Sequence, residues 1–331
     1  MDFIIADADR MEVGYLPSGS VMDLDLAQDT DNREGCNDIE ITAPSDTKLQ
    51  MERFVFCPGT EYGGRILDLK RVTSSATCVW YADCWRRMLG QQILTPPDGE
   101  AYLKVDGDAN DVIRSLMNDR DGLFVVPDTA SGISVSGQID RYVSLLDGMT
   151  KILAAENARL QIRAVQGGPN EAFHVMVEAA PIVNYEDRVE YSQDSRVTLT
   201  IRDYRRGINH LVCLGSGELE ERMVHHLYMQ ADGSVGTEVY YTGIDMRSAV
   251  FNYPNAESEE ELIKSGRSKL KELASYKKFD MSVHDADLDI GDIVAARDRV
   301  TGTYLAKPIV KKVLKVNGSK TTITYKVKGD E

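Results

Sequence analysis

The sequence is short of residues that do chemistry by themselves. Its five cysteines, Cys36, Cys57, Cys78, Cys84 and Cys213, form an odd set with no CxxC pair, so reduced thiols are expected rather than a zinc knuckle or a disulfide framework. No apolar run approaches the roughly 20 residues that span a bilayer, and no membrane insertion is expected. The opening MDFIIADADR follows a few apolar residues with acids, unlike the basic flank and longer apolar stretch of a signal peptide. Basic charge is scarce: 38 Lys and Arg against 53 Asp and Glu leave a net charge of −15. This argues against a nucleic-acid binder, because affinity for a polyanion comes largely from cations displacing counterions. With 7% aromatic residues, no carbohydrate-binding groove is advertised. GxSxG, HExxH and a Rossmann strand-loop-helix are also absent.

The densest stretch of reactive side chains, GINHLVCLGSGELEERMVHHLY from Gly207 to Tyr228, dissolves under geometry. Glu218, Glu220 and Glu221 would confront any phosphate at LGSGE, no GK[ST] follows, and a glycine turn between two strands accounts for it. In a strand, successive side chains point to opposite faces, so His225 and His226 cannot converge on one metal, and His210 is separated from Cys213. A distant partner such as His174 or His284 stays open. HDADLDIGD spaces Asp285, Asp287 and Asp289 by two, but Ile290 and Ala296 stand where a calcium loop needs Gly and Glu. DGDANDVI has Asp111 where that glycine belongs, which leaves Asp108 as a helix N-cap. No catalytic residue, cofactor or metal is expected.

What is present is texture and charge asymmetry. Length suggests about two domains. VMDLDLA, DIEIT, ERFVFC, GRILDLKRV and TCVWYA read as short strands of an antiparallel barrel or sandwich. After the TPPDGE turn, helices are expected behind Asp108 and from about Arg141 to Asn157, with strands ARLQIRAV and AFHVMVEA next. Strands return from about Tyr185, with TEVYYTG extended beyond an Asp232-Gly233 hairpin turn. Ser258 and Glu261 form a capping box before a helix carrying Leu262, Leu270 and Leu273. Between Met1 and Asp46, twelve acids face only Arg10 and Arg33. From Arg299 onward one Arg and seven Lys face two acids, giving +6, so the remainder carries −21 of the −15 total. The basic strands either meet an acidic neighbour or guard an exposed edge.

The words GTEYGGRI (Gly59 to Ile66), WRRMLGQQILTPPDGEAYLKVDGDANDVI (Trp85 to Ile113), GINHLVCLGSGELEERMVHHLY, and YYTG through SEEELIKSGRSKLKEL (Tyr240 to Leu273) are similar, in order and spacing, to the baseplate or tail-tip hub proteins of tailed bacteriophages. The likeness is to the siphophage and prophage branch of Gram-positive hosts. The resemblance implies a mainly β α+β fold: a tube-like β-barrel domain at 1–94, an α+β insertion at 95–184, a second tube-like β domain at 185–251 and a C-terminal α+β domain at 252–331. It implies a non-enzymatic, homotrimeric ring joining the tail tube or distal tail protein to the tip. Its partners would include the tape-measure C-terminus and tip, receptor-binding or lytic tail proteins. It would sit at the virion tail tip after assembly in the host cytoplasm, and DNA would pass through it during ejection without specific binding. The matching positions Trp85, Gly90, Pro96, Pro97, Gly207, Asn209, His210, Gly215, Gly217, Arg222, Tyr241 and Gly243 would be scaffold and interface residues. The acid excess is then either a DNA-repelling channel lining or a solvated outer face. A tail-associated cell-wall peptidase or hydrolase, or a host-receptor binder, is the alternative.

Overall fold

In the computed structural model, residues 1–30, 37–117, 122–186, 190–191, 197–204, 207–217, 219–256, 258–274, 276–283, 288–297 and 304–327 are described. They form two compact units, one from Met1–Leu199 with Met281–Lys328 and the other built on Thr200–Asp280. Strands outnumber helices, as the alternating patterns predict, but no closed barrel forms among the described residues. The expected barrels are open sheets, because the strands at the two ends of the pairing order do not meet.

In the first unit the strands Lys320–Val327, Tyr304–Asn317, Val21–Ala27, Asp38–Pro44, Thr77–Cys84, Gly63–Arg71, Phe54–Phe56, Ile4–Ala6 and Glu12–Tyr15 are neighbours in that order. All these pairs are antiparallel. Period-two alternation fixes the register, since a slip by one residue would turn the apolar set to solvent. Leu314 lies opposite Leu24, Leu24 opposite Ile39, and Ile39 opposite Ala82, all buried. One face is therefore core and the other carries the charges. The span 252–331 is divided, its last two strands joining the sheet begun by 21–27.

The 95–184 span packs on Ile4, Ala6, Phe54 and Phe56 at the other end of this sheet. Helix α1 (Trp85–Gly90) precedes it; α2 (Ala109–Met117) and α3 (Leu145–Ala155) then bury Val112, Ile113, Leu145, Met149 and Leu153 beside Phe173. Asp108 caps α2: its Oδ1 accepts the N–H of Asn110 at 2.9 Å and of Ser131 at 3.0 Å, and its Oδ2 that of Gly132 at 2.9 Å. Burial opposes its charge, yet these donors, with the Ser131 hydroxyl, hold the carboxyl below its ordinary value. Helix α3 is shorter than expected because Tyr142 (φ 58) and Asn157 (φ 52) adopt left-handed backbone on either side of it, while Ser144 Oγ accepts the Asp147 N–H at 3.0 Å as its cap.

The second unit is a four-stranded sheet in the order Val235–Gly236, Val224–Met229, His210–Leu214 and Ser248–Asn252. Helix α4 (Glu259–Leu273), capped by Ser258 Oγ accepting the Glu261 N–H at 3.2 Å, buries Leu262 and Leu270 against Leu211, Cys213 and Leu227. Gly266 makes that approach possible, since a Cβ there would sit 2.5 Å from Cys213 Sγ. The strand expected at TEVYYTG stops at Gly236. Beyond it the Gln230 side chain takes the Glu238 carbonyl at 2.8 Å, and Gly243 has φ 59.

Candidate functional site

The sequence words that are separate in the chain meet in space. Arg86, from WRRMLG, donates through Nε to Oε1 of Glu61, from GTEYGG, and both side chains are buried. Trp85 lies beneath them among Phe54 and Phe173, with ring centroids 6.3 and 6.1 Å away. The glycines of GTEYGG allow this: a Cβ on Gly63 would stand 2.7 Å from Trp85 Cζ2, and one on Gly64 2.2 Å from the Asp83 carbonyl oxygen. Gly90 closes α1 where a Cβ would meet Thr30 Cγ2 at 2.4 Å. Pro96 is buried and Pro97 exposed in the connection to the next strand, the Pro97 carbonyl accepting the Glu100 N–H at 3.0 Å.

A second buried ionic group was not legible in the sequence. Arg159 donates from Nε to Asp292 Oδ1 at 2.8 Å and reaches Asp289 Oδ2 with Nη2 at 2.9 Å, while Lys312 Nζ lies 3.6 Å from Asp289 Oδ1. Asp292 Oδ1 also accepts the Val183 N–H at 3.0 Å. Lys312 is buried facing the rings of Tyr62 and Tyr325, 5.2 and 5.7 Å from their centroids. The acidic motif considered for calcium thus presents two of its carboxylates to cations supplied by the protein itself; Asp285 and Asp287 lie outside the described residues. Among the described residues, no three His, Cys, Asp or Glu side chains are arranged to hold a metal ion.

In the second unit Gly207, Asn209 and His210 come together. A Cβ on Gly207 would be 2.1 Å from the Ala274 carbonyl carbon. Asn209, buried, donates to the Asp245 carbonyl and accepts the Arg247 N–H, each at 2.7 Å. Arg222 donates through Nε to the Gly215 carbonyl at 3.2 Å, and Gly217 (φ 98) turns the chain tightly above Glu221. Tyr241 packs edge-on to Tyr240 at 4.9 Å, and Gly243 stands in the open. Strand alternation separates the neighbours as expected: His225 turns to Glu259 at 3.2 Å, and Cys213 goes to the helix side. It also brings two distant histidines together. His210 Nε2 is 2.9 Å from His226 Nδ1, and His210 Nδ1 is 2.7 Å from Ser248 Oγ. The His210 ring stacks on Tyr228 at 4.5 Å. Burial, then His226, holds His210 below the ordinary histidine value. Burial pushes the Cys84 thiol up to about 12 and Cys213 to about 11, so neither is a nucleophile at neutral pH.

The charge asymmetry resolves on the outer face of the first unit's sheet. The basic strand Tyr304–Asn317 lies beside the acidic Val21–Ala27, and Lys311 reaches Asp25 at 2.8 Å. The acidic neighbour of the lysines is the chain's own N-terminal region. A depression of about 460 Å³ lies over this face of the sheet, with Asp38 and Glu40 on one side and Lys326 on the other. Burial, then Asp25, raises the Asp38 carboxyl above its ordinary value.

No protein-family model matches the chain, and no curated protein matches it. Solved structures do. A chain in the structure of the phage P2 baseplate in its activated conformation with Ca aligns with a TM-score of 0.53 at 10% identity, covering 99% of this chain and 98% of that one. A chain in a topological model of the p2 virion baseplate in activated conformation aligns at 0.51 and 11% identity, covering 100% and 99%. Across its whole length, this chain has a fold found in a phage baseplate.

Proposed function

We propose that this protein is a structural hub at the tail tip or baseplate of a phage or phage-tail-like particle, acting without catalysis. The observation that carries this is the fold likeness to phage P2 baseplate chains over nearly the full length of both, together with the order of the sequence words in GTEYGGRI, WRRMLG and GINHLVCLGSG. In this role three copies form a ring, with tube-like portions at about 1–94 and 185–251. The ring joins tail tube or distal tail protein to tip, receptor-binding or lytic proteins and meets the tape-measure C-terminus. DNA passes through during ejection, and the acidic excess keeps it from being retained. The positions carried by the resemblance, Trp85 and Gly207 among them, act as scaffold.

The test is to inactivate the coding sequence in the producing phage or lysogen and image the particles. Tails lacking a tip, restored by supplying the chain, are expected, with labelled chain at the distal end. Complete, infectious tails without the chain would overturn the proposal, and cleavage of peptidoglycan by the purified chain would replace it with the hydrolase reading.

A further inference from the structure

Alternation in the second unit's sheet parts His226 from His225 and delivers it to a histidine of the neighbouring strand. Tyr228 lies opposite His210, and His226 opposite Val212, so His210 and His226 are diagonal neighbours on the side of the sheet turned away from α4. Their rings are within 11° of parallel, and Nε2 of His210 faces Nδ1 of His226 at 2.9 Å. Two nitrogens that each hold a transition-metal ion at about 2.0–2.1 Å, at right angles to one another, lie about 3 Å apart. The pair therefore already has the spacing of adjacent ligands on one ion.

The surroundings favour that use. His210 is 8% exposed, its ring stacks on Tyr228 at 4.5 Å, and its Nδ1 is 2.7 Å from Ser248 Oγ. With the Nδ1 proton donated to the serine hydroxyl, Nε2 keeps its lone pair in a fixed direction, as in metal-bound histidines whose far N–H is held by an oxygen. His226 is exposed, which leaves its ring room to tilt and opens the remaining positions of an ion to water. On this side the strands His210–Leu214, Val224–Met229 and Ser248–Asn252 carry no Asp, Glu, Lys or Arg. Arg247, next to Ser248, turns its Nε to the Gly207 carbonyl at 2.7 Å. These strands thus set no cation against an ion and no carboxylate to select calcium or magnesium, which take oxygen.

We infer that His210 and His226 form a site for a divalent transition-metal ion of the class that prefers imidazole nitrogen: copper, nickel or zinc. His210 Nε2 and His226 Nδ1 are its protein ligands, and water fills its other positions. The proton that joins the two nitrogens moves through solvent to His226 Nε2, so both rings stay neutral and no net proton is released. An ion there pins strand His210–Leu214 to Val224–Met229 on the side that α4 does not cover. His225 takes no part, being turned to Glu259 at 3.2 Å.

Calorimetric titration of the untagged full chain with Cu²⁺, Ni²⁺, Zn²⁺ and Ca²⁺ at neutral pH tests this, comparing wild type with His226→Ala and, as a control, His225→Ala. Wild type and His225→Ala are expected to bind one Cu²⁺ alike, with Ni²⁺ and Zn²⁺ weaker and Ca²⁺ not bound. His226→Ala, a change at an exposed position, is expected to melt with the wild type and to bind Cu²⁺ at least about tenfold more weakly. Electron paramagnetic resonance of the Cu²⁺-loaded wild type should show coupling to two imidazole nitrogens, and that of His226→Ala to fewer. Equal Cu²⁺ affinity in wild type and His226→Ala overturns the site, and so does Ca²⁺ binding as tight as Cu²⁺. A wild-type spectrum without imidazole coupling overturns it whether or not the variants fold.

Discussion

Lys315 extends across the sheet to Asp23, its Nζ 2.7 Å from Oδ2, and joins residues 292 apart in the chain. Lys311, opposite Ala27, reaches diagonally to Asp25, and that pair is less exposed to water. Lys315→Ala is expected to change stability by no more than about 0.5 kcal/mol, as exposed pairs do. Lys311→Ala should cost about 1–2 kcal/mol, because Asp25 loses its partner and Asp38 beside it keeps only Arg87 to oppose their repulsion. Urea denaturation at low and high salt checks this, with the gap between the variants narrowing as salt rises.

Arg86→Met leaves Glu61 buried without its cation. A loss of about 3–5 kcal/mol is expected. The double change Glu61→Gln with Arg86→Met should recover much of it, since removing both charges removes the uncompensated burial. Denaturant midpoints of the two variants make the comparison, and equal losses in both would contradict it.

The Arg159 group gives an internal contrast. Asp292 is almost fully buried and holds both Arg159 and the Val183 N–H, whereas Asp289 is 36% exposed. Asp292→Asn should therefore destabilise the first unit by about 2–4 kcal/mol, and Asp289→Asn by about 1–2 kcal/mol, its exposure softening the loss of the anion facing buried Lys312. Hydrogen exchange at the Val183 amide, faster in Asp292→Asn alone, reports the same difference.

Gly207→Ala must push against Ala274 backbone, which cannot rotate away. The expected cost is about 3 kcal/mol or more, at the upper end of overpacking penalties. Gly19→Ala, where no neighbouring atom lies within 4 Å of the new Cβ, should be near neutral. Thermal melts of both variants separate a packing requirement from a general dislike of alanine.

His210 has a folded value below its unfolded one, first through burial and then through His226. The unfolded state therefore binds the proton more readily. Stability from this site is complete above about pH 6.5, the ordinary histidine value, and is lost as pH falls through the lower folded value. Melting temperature against pH should drop on acidification below about 6.5, and the part due to this site should vanish in His210→Gln.

Local structure was legible where chemistry and spacing act over a few residues. Asp108 and Ser258 read as caps because a cap is a short-range donor-acceptor pattern, and VMDLDLA and DIEIT showed their buried faces through alternation. Alternation also foretold that His225 and His226 would part. It could not foretell that His226 would meet His210, because which strand lies beside which is decided by the whole sheet. Glu61 with Arg86 and Arg159 with Asp292 escaped for the same reason, each partner being an ordinary charge until a distant element buries it. The helix at 145–155 was overextended because the left-handed turns at Tyr142 and Asn157 leave no apolar-period signature. Asp289 was set aside as a calcium ligand because Ile290 and Ala296 break the loop, but its pairing with Arg159 was not foreseen, since the arginine lies 130 positions away in the chain.

The pairing of Val21–Ala27 with Tyr304–Asn317 also sets an order of events during synthesis. At about 5–20 residues per second, the acidic strand leaves the ribosome about 15–60 seconds before its lysine-bearing neighbour exists. Until then one edge of Val21–Ala27 has no neighbour of its own, and its Asp23 and Asp25 side chains discourage premature pairing with other nascent chains. The sheet is completed last at this pairing, whose partners lie far apart in the chain, so folding of the first unit is expected to be slow.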